Sequence, residues 1–404
     1  MNPDPPPYRK LAATLRTTTE RLARELATPV DEPPEWSAFE WDVARAVAAM
    51  HGISALLANR LRWRGPLRWQ DFLHEQLRQG LLRDHRVGEV LAQLDQSTRR
   101  EAVGVVSLKG SALRTLEIYA PGERPMGDID LYTPPATFPA AARAIEALGY
   151  REAFRMSRHV VYRCGSATTP HGAGEHIDNP LKIELHERIA EPLPVSLVDI
   201  TARLPPTPLE HGVQGYRSRA ALMAHLLLHA AGNMRANALR LLQLHDIARL
   251  SLRMDAHDWR ELADEDNETS WWVYPPLLLA TKYCEIRVPP KLLQSLERAC
   301  PRMLALAARR TMLTDVSWSN LRIGAFPGIE WSRSALEAMR FAKSRFMPSK
   351  DMLDVLSIAQ HEQPQFAAVP WYAQSHAVRI ARWLFGRPPR VQTMSSVLAA
   401  LGDR

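Results

Sequence analysis

"VVSLKGSALRTLEIYAPGERPMGDIDLY", residues 105–132, runs from an apolar, Val-rich stretch into Lys-Gly-Ser, a short amphipathic segment, a Pro/Gly loop and two aspartates one residue apart. The stretch "AVGVVSL" (102–108) reads as a buried strand, "SALRTLEIYA" as a short helix and "DIDLYT" as a second strand. Alternation along that second strand puts Asp128, Asp130 and Tyr132 on one face and Ile129 and Leu131 on the other. Two like charges held so close repel, so a positive partner is expected between them.

Outward from this stretch the same grammar continues. "TFPAAARAIEALG" predicts a helix, and "YREAFRMSRHVVYRC" a strand or hairpin arm. After the polar loop "TTPHGAGEHIDNP", the run "LKIELHERI" returns as a strand. There Lys182, Glu184 and His186 share one face, while Leu181, Ile183 and Leu185 turn to the core. Helices between strands predict an α/β or α+β module of about 90 residues, and α+β is the fold class expected. Residues 35–100 and those after 208 show apolar positions at helical spacing instead. The expected organisation is a proline-rich tail over 1–34, with one helix near 10–27, then a helical region over 35–100. A small mixed-sheet core over 101–207 and a C-terminal helical domain over 208–404 complete it.

Composition sets the outer limits. The chain has 404 residues, 46% hydrophobic and 24% charged, which is ordinary for a globular protein. No apolar run is long enough for a membrane span, and "MNPDPPPYRK" lacks the apolar centre of a secretory signal. The three cysteines, Cys164, Cys284 and Cys300, lie far apart without metal-ligand spacing, so a reduced, cytoplasmic protein is expected. A net charge of +7 is compatible with nucleotides, nucleic acid or anionic lipid and does not choose among them.

The polar faces carry the chemistry. If "DIDLY" and "LKIELHE" are neighbours in one sheet, Asp128, Asp130 and Glu184 converge. Three carboxylates together are costly unless a divalent cation neutralises them, and hard oxygen ligands suit Mg²⁺ or Mn²⁺. Upstream, the first strand enters Lys109-Gly110-Ser111 and a helix. Glycine permits close backbone approach, and N–H groups at a helix start favour a phosphate. A phosphate cradle followed by an Asp-x-Asp metal site is the layout of phosphoryl or nucleotidyl transfer.

Gly110-Ser111, sixteen intervening residues and then Asp128-Ile129-Asp130-Leu131 resemble the signature of the polymerase-β-like nucleotidyltransferase superfamily. The fuller pattern "LKGSAL…RPMGDIDLY…LGY…IELH" is similar to its bacterial branch called uncharacterised nucleotidyltransferases, over residues 35 to 290. The resemblance implies that Gly110 and Ser111 hold the triphosphate of an NTP such as ATP. It implies that Asp128 and Asp130 bind metal and that Glu184 is the third carboxylate. Lys109 and Arg124 belong to the branch's pattern and are expected to offset phosphate charge. The implied reaction moves a nucleoside monophosphate to a hydroxyl acceptor and releases pyrophosphate. A small molecule, a peptide or protein hydroxyl and an RNA 3′ end all remain open as that acceptor.

Two other readings stay open. The same fold could serve as a non-catalytic nucleotide- or partner-binding protein. Alternatively, His225 and His229, one helical turn apart, with His245-Asp246 could form a His-Asp metal phosphohydrolase site. Their helices are intensely apolar, so buried, hydrogen-bonded histidines are the plainer expectation, with lining of an acceptor site next. The basic, aromatic-bearing segments 339–350 and 378–390 read as surface helices, with single-stranded nucleic acid or a membrane surface as alternatives.

Overall fold

The structure, a computed structural model, describes residues 7–347 except 157, 166–173, 265–270, 318 and 322–325, together with 381. The expected segment 378–390, the end of 339–350 and any helices after 347 therefore lie outside the described residues.

Four helices come first: α1 (Tyr8–Ala27), α2 (Ala38–Met50), α3 (Ser54–Arg60) and α4 (Leu67–Arg100). The core follows as β1 (Gly104–Ser107), α5 (Lys109–Thr115), β2 (Asp128–Tyr132), α6 (Phe138–Glu146), β3 (Tyr150–Arg155), β4 (His159–Cys164) and β5 (Lys182–His186). Three short strands are added by β6 (Ala190–Pro192), β7 (Leu197–Asp199) and β8 (Gly212–Gln214). The remaining helices are α7 (Arg219–Ala236), α8 (Leu241–Ser251), α9 (Ala256–Asp264), α10 (Tyr274–Tyr283), α11 (Pro290–Ala299), α12 (Arg302–Arg310) and α13 (Ala335–Phe346).

The fold is α+β, with a six-stranded mixed sheet in the order β3-β4-β5-β2-β1-β8 and helical regions before and after it. β2 runs parallel to β5 and antiparallel to β1, while β8 joins the far edge parallel to β1. This edge strand comes from beyond the 101–207 stretch expected to supply the sheet. Three residues are too few to show a period of two, so no local pattern marks it as a strand. The pair β6–β7 makes a separate two-stranded ribbon.

Strand alternation divides the sheet between two cores. Ile129, Leu131, Ile183 and Leu185 pack with Val87 and Leu94 of α4 and Phe138 and Ile145 of α6. Tyr132 and Val106, from the opposite face, join the larger helical core that includes α7 and α8. α7 is capped at its start by Ser218, whose Oγ accepts from Ala221 N–H, and at its end by Asn237 in the left-handed conformation. It is buried on nearly all sides, so each polar residue on it must find a partner within the protein.

The expected tail is anchored. Leu11, Leu15 and Leu22 of α1 are 0% exposed and sit in the larger core. Tyr8 OH donates to Leu321 O at 2.6 Å, and Thr19 Oγ1 lies 2.7 Å from Ser319 Oγ. Prolines flank α1, but its Leu11-Leu15-Leu22-Leu26 stripe has helical spacing and lies on the buried face. Among the described residues, no helix is long and apolar enough to cross a membrane.

Candidate active site

Parallel pairing of β2 with β5 sets Asp128 opposite Lys182, Asp130 opposite Glu184 and Tyr132 opposite His186. The three expected carboxylates thus stand on adjacent strands and on one face. Backbone hydrogen bonding fixes this arrangement, so it does not depend on flexible side chains.

Arg83 of α4 sets the entry to both strands. Its guanidinium is buried and donates to Met126 O at 2.9 Å, ahead of β2. It also donates to His176 O at 3.1 Å and Asn179 O at 2.7 Å, ahead of β5, and pairs with Glu175 at 2.6 Å. Sequence reasoning missed Arg83. The signal available was an arginine on the buried stripe Gln76-Gln79-Arg83-Val87 of α4, where a hydrophobe would otherwise stand.

The positive partner expected between the aspartates is Lys109, whose Nζ lies 2.9 Å from Asp130 Oδ1. Burial disfavours its charge, yet Asp130, Glu184 and Asp128 together hold its pKa above the usual lysine value. His186 Nε2 is 3.1 Å from the same oxygen and 3.8 Å from Glu184 Oε2. Burial works against the charge on Asp130, but the Lys109 ammonium and the hydrogen bond from His186 keep its carboxyl well below the usual range. Glu184 is pushed up to about 8, by burial first and then by the charges of Asp130 and Asp128. Asp128, although exposed at the start of β2, is also raised, by lost hydration first and then by Asp130. Lys109 and Lys182 oppose the upward shifts at Asp128 and Glu184 but do not cancel what burial and the neighbouring carboxylates produce. Hard oxygens with surplus negative charge are the donor set that a divalent cation fits.

Gly110 and Ser111 open α5 as expected, directly after β1. The N–H groups there are partly engaged: Lys109 N–H donates to Tyr216 OH at 3.1 Å and Ser111 N–H to Leu108 O at 3.1 Å. A Cβ at Gly110 would meet the Arg124 guanidinium and the Met126 sulfur, so the close approach seen here is a side chain's. Ser111 Oγ is buried without a hydrogen-bond partner, a polar group still available to a ligand.

Arg124 reaches neither aspartate of β2. Its Nη2 meets Asp246 Oδ2 of α8 at 2.7 Å, and Tyr119 OH donates to Asp246 Oδ1 at 2.8 Å. Tyr119 OH also lies 3.0 Å from His245 Nδ1, so the His-Asp pair of α8 serves this buried network. His225 Nδ1 bonds Tyr216 OH at 2.7 Å, and His229 Nε2 meets the Asn233 amide at 3.1 Å. Among the described residues, the groups able to offer three metal-ligating atoms are His159–Glu184–His186 and Asp255–His257–Asp258. Neither takes in His225, His229, His245 or Asp246.

The structure thus brings Asp128, Asp130, Glu184 and Lys109 into one site beside Gly110-Ser111, and adds His159, His186 and Tyr216 to it. No curated protein and no solved structure matches the chain. The family model described as uncharacterised nucleotidyltransferase matches residues 37–289, which take in every residue of this site and well over half the chain. The chain therefore belongs to the uncharacterised nucleotidyltransferase family.

Proposed function

We propose that the protein is a metal-dependent nucleotidyltransferase that moves a nucleoside monophosphate from an NTP to a hydroxyl acceptor. The observation that carries this reading is the register of β2 on β5, which sets Asp130 beside Glu184 with Asp128 two residues away on the same face. Asp128, Asp130 and Glu184 would hold Mg²⁺, or Mn²⁺ in its place. When bound, the ion supplies charge neutralisation of the phosphates and of the leaving pyrophosphate.

The chain's own groups divide the remaining work. Ser111 Oγ and the backbone around Gly110 hold the phosphates, and Lys109 adds positive charge beside them. Arg124 acts indirectly, by bracing the loop that leads into β2 and packing its guanidinium against Gly110. The acceptor hydroxyl oxygen bonds to the α-phosphorus as the bond from that phosphorus to the bridging oxygen breaks. The electron pair of the broken bond leaves with pyrophosphate, and the hydroxyl proton passes to Glu184.

Calorimetric titration of the four NTPs with Mg²⁺, on the wild type and on Asp128→Asn/Asp130→Asn, tests this. Metal-dependent binding of an NTP, lost in the double variant, is the expected result. Absence of binding to the wild type would refute the reading. Binding without transfer to any acceptor would place the chain with non-catalytic nucleotide binders.

A further inference from the structure

A cavity of about 140 Å³ lies beside Glu184, between the sheet and α7. His159, Glu184 and His186 line it from the sheet, and His225, Leu228 and His229 line it from α7. At one water's share of the liquid, roughly 30 Å³, it has room for about five waters, which is the scale of a small polyol.

Each cation that lines the cavity is paired with a carboxylate. Lys109 pairs with Asp130 at 2.9 Å, Arg158 with Glu191 at 3.0 Å and Arg188 with Asp199 at 3.1 Å. The imidazoles are not fully used. His225 and His229 each bond through one ring nitrogen, to Tyr216 and Asn233, and the other nitrogen has no partner among the described residues. His159 Nε2 stands 3.7 Å from Glu184 Oε2, beyond direct hydrogen-bond distance. Imidazoles with unused nitrogens, set among paired charges, suit hydroxyl groups, which both donate and accept. Phosphates or a nucleic-acid backbone would call for free cations instead.

Resting on the transfer reading above, we propose that this cavity is the acceptor pocket and that the acceptor is a small, uncharged, polyhydroxylated molecule. One of its hydroxyls faces Glu184, and the histidines of α7 hold the others. Of the acceptor classes that the sequence leaves open, the small molecule is the one this chemistry selects.

The test is saturation-transfer NMR on the full chain without nucleotide. The neutral probes are myo-inositol, glucose and N-acetylglucosamine, and the charged probes are glucose 6-phosphate and a short RNA oligonucleotide. At least one neutral probe binds the wild type and Asp128→Asn, and its affinity falls tenfold or more in His229→Leu. His229→Gln, which keeps a hydrogen-bonding group at the same place, falls between the two and serves if His229→Leu does not fold. Binding by charged probes alone, by no probe, or with equal strength in the His229 variants would overturn the proposal. A parallel NTP titration with Mg²⁺ keeps the two readings apart. A bound polyol without nucleotide binding sinks the transfer reading and upholds the pocket's chemistry, while nucleotide binding without a bound polyol does the reverse.

Discussion

Arg124 grips Asp246 through two nitrogens, Nε on Oδ1 at 2.8 Å and Nη2 on Oδ2 at 2.7 Å, and so ties the loop before β2 to α8. Asp246→Ala leaves a buried guanidinium and the Tyr119 hydroxyl without their acceptor. Removing one partner of such a pair costs about 3–5 kcal/mol. Urea denaturation should show that loss with and without added metal, and Arg124→Met/Asp246→Leu should recover most of it. A loss that appears only when metal is present would return Asp246 to the role of a ligand.

Asp128 and Asp130 should behave differently when neutralised. Asp128 is exposed and repelled by its neighbour, so Asp128→Asn leaves the melting temperature unchanged or raised. Nucleotide transfer falls by about 10² or more, the scale of losing one group that stabilises transition-state charge. Asp130→Asn also strands the Lys109 ammonium and destabilises the fold. Thermal melts beside a transfer assay separate the two, and equal melting temperatures would contradict the assignment.

Arg83 holds three backbone carbonyls that precede β2 and β5. Arg83→Lys keeps the charge but replaces a planar fork by a single ammonium, which cannot span those acceptors. Stability is expected to drop by about 2 kcal/mol or more, the range for stranding buried polar groups. Chemical denaturation reads this directly, and full rescue by lysine would show that charge alone matters.

His51 is one of the buried histidines that set the acid limit. Its Nδ1 accepts from Leu241 N–H at 3.0 Å and its Nε2 lies 2.8 Å from Ser319 Oγ, so the ring is held neutral. Burial first, and then Arg240, pull its pKa down to about 3. His245, also buried, is likewise lowered to about 3. Both lie below the 6.5 of a free histidine, so the unfolded chain takes up protons first. Their contribution is fully present above pH 6.5 and is lost as pH falls towards 3. Each histidine adds a slope of about 1.4 kcal/mol per pH unit within that window. Denaturation midpoints from pH 7 to 4 check this, and His51→Gln should flatten the decline while lowering stability at pH 7.

The segment 37–289 on its own should not fold cooperatively. It lacks α1, whose Leu11, Leu15 and Leu22 are fully buried. Losing them exposes the core surface they cover, at a cost of roughly 5–9 kcal/mol if each accounts for about 1.5–3 kcal/mol, comparable with the whole stability of a domain. It also lacks Ser319, which touches both Thr19 and His51. A sharp, reversible melt of that segment would refute the expectation.

The strands of the site were legible because alternation is a local property. Ile129 and Leu131 against Asp128 and Asp130 declare a face, as do Ile183 and Leu185 against Glu184. The partners of Arg124 were not legible, because Asp246 is more than a hundred residues away and nothing local points to it. β8 was too short to show a period. His159 read only as part of a hairpin arm, and it reaches Glu184 only because β4 pairs antiparallel with β5. Local pattern gives the face of a residue, and long-range pairing gives its company.

Lys109 occupies Asp130 as a built-in counter-ion. A newly made chain therefore closes its core around a site that already carries a cation of its own, and folding need not wait for metal from outside. On the proposed function, loading would be an exchange in which the Lys109 ammonium gives way at Asp130 to an incoming ion.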